Sequence, residues 1–160
     1  MLPGPRLLLR EHLAREHPTP DLLGFAGVER VAVPAAPLTR QVAEKLHAYT
    51  RVYEGSRGST RTKDLVDLVL IAQLFALDAA ALRGAIDAVF SSRATHGPSQ
   101  MFPQPPAQWR VPYRRLAIAV GLHGDLDAGY AAATGLLGPI LARTTKAGSW
   151  DPTSGEWQRD

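Results

Sequence analysis

Within TRTKDLVDLVLIAQLF (60–75), Asp64 and Asp67 interrupt a segment that is otherwise almost wholly apolar from Leu65 onward. A basic run, Arg57, Arg61 and Lys63, comes just before them. An unpaired carboxylate buried in such a place costs several kcal/mol, so each aspartate needs a cation, a metal or a proton. On a helix turning about 100° per residue, Lys63, Asp67, Leu70, Ile71 and Leu74 fall on adjoining rows, and Asp64 lies beside Ile71 and Phe75. Asp67 therefore sits on a side that continues as apolar surface. Lys63, Arg61 and Lys45 are the cations within reach. One explanation is structural: a buried ion pair pinning two helices. The other is chemical: paired carboxylates that hold a metal or polarise a substrate, with the ammonium of Lys45 and the basic loop suited to a triphosphate.

Other site chemistries find little support. His47 lacks a second histidine three or four residues away and His96 stands in a turn, so a zinc site is not expected. There are no cysteines, which excludes disulfides and thiolate ligands and fits a reducing cytoplasm. The loop GSRGST (55–60) lacks the GK[ST] ending of a P-loop, and no G-x-S-x-G occurs. Trp109, Trp150 and Trp157 could stack on bases, but packing is the expected use. Net charge is +3, yet residues 40–63 alone hold six basic against two acidic side chains. That bias permits a nucleic-acid partner without requiring one, since a solvated basic surface has the same composition.

These residues need a scaffold, and 160 residues with 45% hydrophobic and 21% charged content suit one folded domain. No stretch is long and apolar enough to span a bilayer, and MLPGPRLLLREH has too short an apolar run for a signal peptide. Residues 1–37 read as an irregular segment with a short helix at Leu7–Arg15 and an extended piece at Val28–Val33. Residues 38–142 read as a helical domain, and 143–160 as a turn-rich tail.

Leu38, Val42, Leu46 and Tyr49 give the first helix its apolar face, with Thr39 as N-cap. The second helix, from Ser59 or Thr60 to about Phe75, is apolar nearly all round and is expected to be central. Asp78 caps a third helix that ends around His96-Gly97-Pro98. Pro106 or Pro112 opens a fourth, which Gly121 closes, and Asp125 opens a fifth that stops at Gly138-Pro139. The expected fold class is mainly α, about five helices in a bundle with a short N-terminal extended segment.

The order PDLLGFAG (20–27), PLTRQVAEKLHAYTR (37–51) and STRTKDLVDL (59–68) resembles the nucleotidyl transferase AbiEii/AbiGii toxin family. FSSRATH (90–96), PQPPAQW (103–109), GPIL (138–141) and the closing GSWDP agree with it in order and spacing. The resemblance implies the helical part of an α+β nucleotidyltransferase-like fold. It also implies a toxin of a toxin–antitoxin or phage-defence system that transfers nucleotides from an NTP, with Mg²⁺, to RNA such as the 3′ end of tRNA. By the same resemblance Lys45, Asp64 and Asp67 are the catalytic residues and a cognate antitoxin is a partner, while the basic residues Arg51, Arg57, Arg61 and Lys63 are the candidates to contact phosphate.

The family's Gly-Gly-Ser/Thr turn and metal-binding strands lie upstream of a PDLLGFAG-like segment, and no Gly-Gly pair occurs in this sequence. No metal ligand is therefore assigned here. The chain is expected to correspond to the C-terminal half of such a toxin, incomplete as an enzyme unless another chain supplies the rest. A shortened but active enzyme, and a non-catalytic RNA- or antitoxin-binding helical protein, are the alternatives.

Overall fold

The computed structural model describes residues 36–51 and 58–159. The expected helix at Leu7–Arg15, the extended piece at Val28–Val33 and Arg57 lie outside these residues.

The first helix, α1 (Leu38–Thr50), buries Val42, Ala43, Leu46 and Tyr49, the face its spacing predicts. Its N-cap is Pro37 rather than Thr39. The Pro37 carbonyl accepts from Arg40 and Gln41 N–H at 2.9 and 3.1 Å. The helix thus starts one residue ahead of Thr39, whose hydroxyl is no longer at the capping position, and the missing N–H of Pro37 falls outside the ladder.

The second helix, α2 (Gly58–Leu74), buries Leu65, Val66, Leu68, Val69, Leu70, Ile71 and Ala72. It packs against α1 and also against α4 (Arg110–Ala119) and α5 (Leu126–Leu141). Being covered on several sides, it has no single polar stripe, as the sequence predicts.

Short-range signals set most of the remaining ends. Asp78 caps α3 (Ala79–Arg93), its carboxylate accepting from Ala81 N–H at 2.7 Å, and Asp125 caps α5 by accepting from Asp127 N–H at 3.1 Å. The third helix ends earlier than expected, because Ala94 turns left-handed (φ 50°). Both prolines suggested for the fourth helix are used. Pro106 precedes a 3₁₀ turn (Ala107–Trp109), and Pro112 sits in the first turn of α4. At its other end Gly121 (φ 78°) donates to the Ile118 carbonyl while Leu122 N–H reaches Ala117, a Schellman closure.

Two expectations fail near the C-terminus. The fifth helix runs through Gly138-Pro139 to Leu141. Pro139 lies so near the end that little ladder remains to be lost. The turn-rich tail contains two strands. β2 (Ser149–Asp151) and β3 (Glu156–Gln158) pair antiparallel, with Trp150 opposite Trp157. β2 also pairs antiparallel with β1 (Leu77–Asp78), Leu77 opposite Trp150, to complete a three-stranded sheet in the order β1-β2-β3. Trp150 and Trp157 fasten it, donating indole N–H to the carbonyls of Ala72 (2.7 Å) and Leu136 (3.0 Å). Mainly α remains the correct class, with five α-helices among the described residues.

The proline-rich connector is clamped by rings. Tyr49 stacks on Phe102 at 4.6 Å, and Phe102 stacks on Tyr130 at 5.8 Å. The two tyrosines donate to the carbonyls of Pro103 and Phe102 at 2.7 and 3.0 Å.

Candidate functional site

Lys45 comes from α1, one residue before the fully buried Leu46, and Asp64 and Asp67 come from successive turns of α2. Across the helix seam Lys45 Nζ lies 2.6 Å from Asp67 Oδ2. Their side chains are 20% and 16% exposed, so the pair is shielded from bulk salt yet reachable by water. Lys45, one of the three candidate cations, is the partner the structure gives Asp67. Lys63 is exposed, and its charge acts on Asp64 instead. A basic residue one turn ahead of an acidic one is the weaker order on a helix, whereas Lys45 reaches Asp67 from the facing helix.

Asp64 has a carboxyl pushed up to about 6. Burial is the main cause and the charge of Asp67 adds to it, while Lys45, Lys63 and Arg61 oppose it. The cluster therefore joins Lys45, Arg61, Lys63, Asp64 and Asp67. Arg51 is the C-cap of α1, and its charge is felt by His47.

As a Mg²⁺ site the donor set does not fit. One oxygen of Asp67 is taken by an ammonium, which leaves no pair of unengaged carboxylates to face a metal. Among the described residues no group of three or more His, Cys, Asp or Glu could hold a metal ion.

Sequence reasoning missed a second constellation. His47 and His96 stack at 4.6 Å, and the Thr95 hydroxyl bridges His47 Nε2 (2.9 Å) and His96 Nδ1 (3.0 Å). The far nitrogen of His96 meets the Thr50 hydroxyl at 2.8 Å. Burial, then the charges of His96 and Arg93, lower the pKa of His47, so it stays neutral at pH 7. The network ties the end of α1 to the loop after α3. Its one local signal is Thr50, three residues from His47 on the same face.

A mainly helical frame holds a lysine against one of two carboxylates a turn apart. The chain belongs to the nucleotidyl transferase AbiEii toxin family of type IV toxin–antitoxin systems, whose family model matches residues 7–132. No curated protein and no solved structure matches it. Membership sets the class as a toxin–antitoxin nucleotidyltransferase, implying an NTP substrate and an antitoxin partner. Among the described residues no helix is long and apolar enough to cross a membrane.

Proposed function

We propose that the chain is the C-terminal portion of a toxin that transfers nucleotides from an NTP to RNA, with the 3′ end of tRNA as acceptor, and that Lys45, Asp64 and Asp67 form its site. The observation that carries this is the 2.6 Å Lys45–Asp67 pair beside a carboxyl whose pKa is raised to about 6. Asp67 holds the Lys45 ammonium at a fixed point, where it can contact the phosphates of the NTP. At pH 7 Asp64 is mostly ionised, and its raised basicity suits it to take the proton of the attacking 3′-hydroxyl as the new phosphodiester bond forms and pyrophosphate leaves. Arg61 and Lys63, with Arg51 and Arg57, add phosphate contacts. The carboxylates that would hold Mg²⁺ come, in this proposal, from another polypeptide segment. The cytoplasm, where nucleotides and tRNA are found, is the proposed location, and toxin–antitoxin control or phage defence is the role. Equilibrium binding of fluorescent NTPs tests the assignment of Lys45. Lys45→Met should weaken binding about tenfold or more, and unchanged binding in a folded variant contradicts the proposal.

The burial of the ion pair also favours a second reading, in which Lys45 and Asp67 are a tie between α1 and α2 and the helical protein binds RNA or its antitoxin without turnover. RNA binding that weakens steeply with salt, without nucleotide transfer, would select it.

A further inference from the structure

A different pair of cations stands between α3 and the end of α5. Arg83, part-buried on α3, donates to the Thr145 carbonyl through one terminal nitrogen, while its Nε is buried without an acceptor. Among the described residues no carboxylate forms an ion pair with it. Asp87, one turn along the same helix, is engaged instead by Arg143 at 3.2 Å. That second pair is exposed, 61% and 46%, and so is worth little and exchanges readily. A part-buried guanidinium with an orphaned N–H and no counter-charge is an unfavourable arrangement that an anion would complete.

The surroundings have the right shape. Arg83, Asp87, Ser99, Gln100 and Arg143 line a cavity of about 170 Å³. A wider groove of about 470 Å³ shares Asp87, Pro98 and Arg143 with it and continues past Phe90, Thr95 and His96. Arg143 takes a left-handed backbone (φ 58°) that costs a non-glycine residue about 1 kcal/mol or more. The last carbonyls of α5 do not oppose an anion freely, since N–H groups of Ala142, Arg143, Thr144 and Thr145 already engage Gly138, Pro139 and Ile140.

The geometry points to a phosphate-monoester site in which Arg83 and Arg143 grip a terminal phosphate and the adjoining groove, walled by Phe90, Pro98 and His96, receives the attached nucleoside. Arg143 would trade Asp87 for the phosphate, and Arg83 Nε would gain its missing acceptor. The inference is independent of the Lys45 site. Two sources share this chemistry, a free mononucleotide and the 5′-phosphorylated end of an RNA.

The test follows the Arg83 side-chain Nε–H resonance by NMR in the full chain during titration with inorganic phosphate, with AMP, and with a short RNA bearing a 5′-phosphate or a 5′-hydroxyl. Chloride at matched ionic strength is the control. A saturable shift of that resonance and of the Gln100 amide, with AMP tighter than phosphate, is expected. Arg143→Gln, at an exposed position, should weaken it about tenfold. Arg83→Met should abolish the Gln100 response. Response to AMP alone assigns the mononucleotide, and response to RNA only when 5′-phosphorylated assigns the RNA end. No saturable shift in the folded protein, equal response to 5′-hydroxyl RNA, or unchanged affinity in Arg143→Gln overturns the site.

Discussion

Lys45 Nζ and Asp67 Oδ2 meet at 2.6 Å across the α1–α2 seam, 22 residues apart in sequence, with both side chains mostly out of water. Removing either partner leaves the other charge partly buried. Lys45→Met or Asp67→Ala alone should therefore destabilise the chain by about 1–3 kcal/mol, below the fully buried case because water still reaches the pair. The double substitution Lys45→Met with Asp67→Leu should recover most of that loss. Urea unfolding midpoints measure both, and additive losses would show that the pair is not coupled.

Asp64 sets a pH dependence of definite sign. Its folded pKa, about 6, lies above the ordinary 3.8, so the folded state holds the proton more tightly. That stabilisation is complete below about pH 4 and is lost as pH rises through 6. Asp64→Asn should flatten this slope and raise stability at pH 7 by about 1 kcal/mol, screening having reduced the full linkage. Under the proposed role the transfer rate should climb as pH passes 6 and the carboxyl ionises. A stability curve between pH 4 and 7 that Asp64→Asn leaves unchanged would remove Asp64 from this role.

The helices were legible because their signals are local. Asp78 and Asp125 each cap within three residues, Gly121 closes α4 within five, and the spacing of Val42, Leu46 and Tyr49 needs only one face of one helix. What the sequence hides is pairing across distance. The partner of Asp67 lies 22 residues away, and that of His47, Thr95, lies 48 away. Strand β1 has two residues, too few to alternate, and finds β2 only because Trp150 buries its ring against α2. A wheel shows only its own helix, so it cannot rank Lys45 against Lys63.

Gly129 is required by a close approach. A Cβ there would lie 1.9 Å from the Tyr113 hydroxyl, where α4 meets α5. Gly129→Ala should destabilise by about 1–3 kcal/mol through overpacking. Tyr113→Phe alone should be neutral or slightly stabilising, since its buried hydroxyl has no hydrogen-bond partner. Combined with Gly129→Ala it should rescue only in part, because the ring carbon Cζ would still lie at 2.5 Å. Thermal melts of the three variants check the order.

Trp150 joins the hairpin to the centre of the molecule through its 2.7 Å bond to the Ala72 carbonyl. Trp150→Phe should cost about 1–3 kcal/mol by stranding that acceptor and should raise amide exchange in β2 and β3 before the helices respond. Uniform exchange across the chain would show that the hairpin does not open separately.

The central claim is that Lys45, Asp64 and Asp67 serve nucleotide transfer. It is met most directly by incubating the chain, completed by the segment that supplies the Mg²⁺-holding carboxylates, with Mg²⁺, each labelled NTP in turn and total tRNA, with Asp67→Ala alongside. Label on the tRNA 3′ end that depends on one NTP and vanishes in the folded variant is the expected result. Labelling that persists undiminished in Asp67→Ala would contradict the assignment.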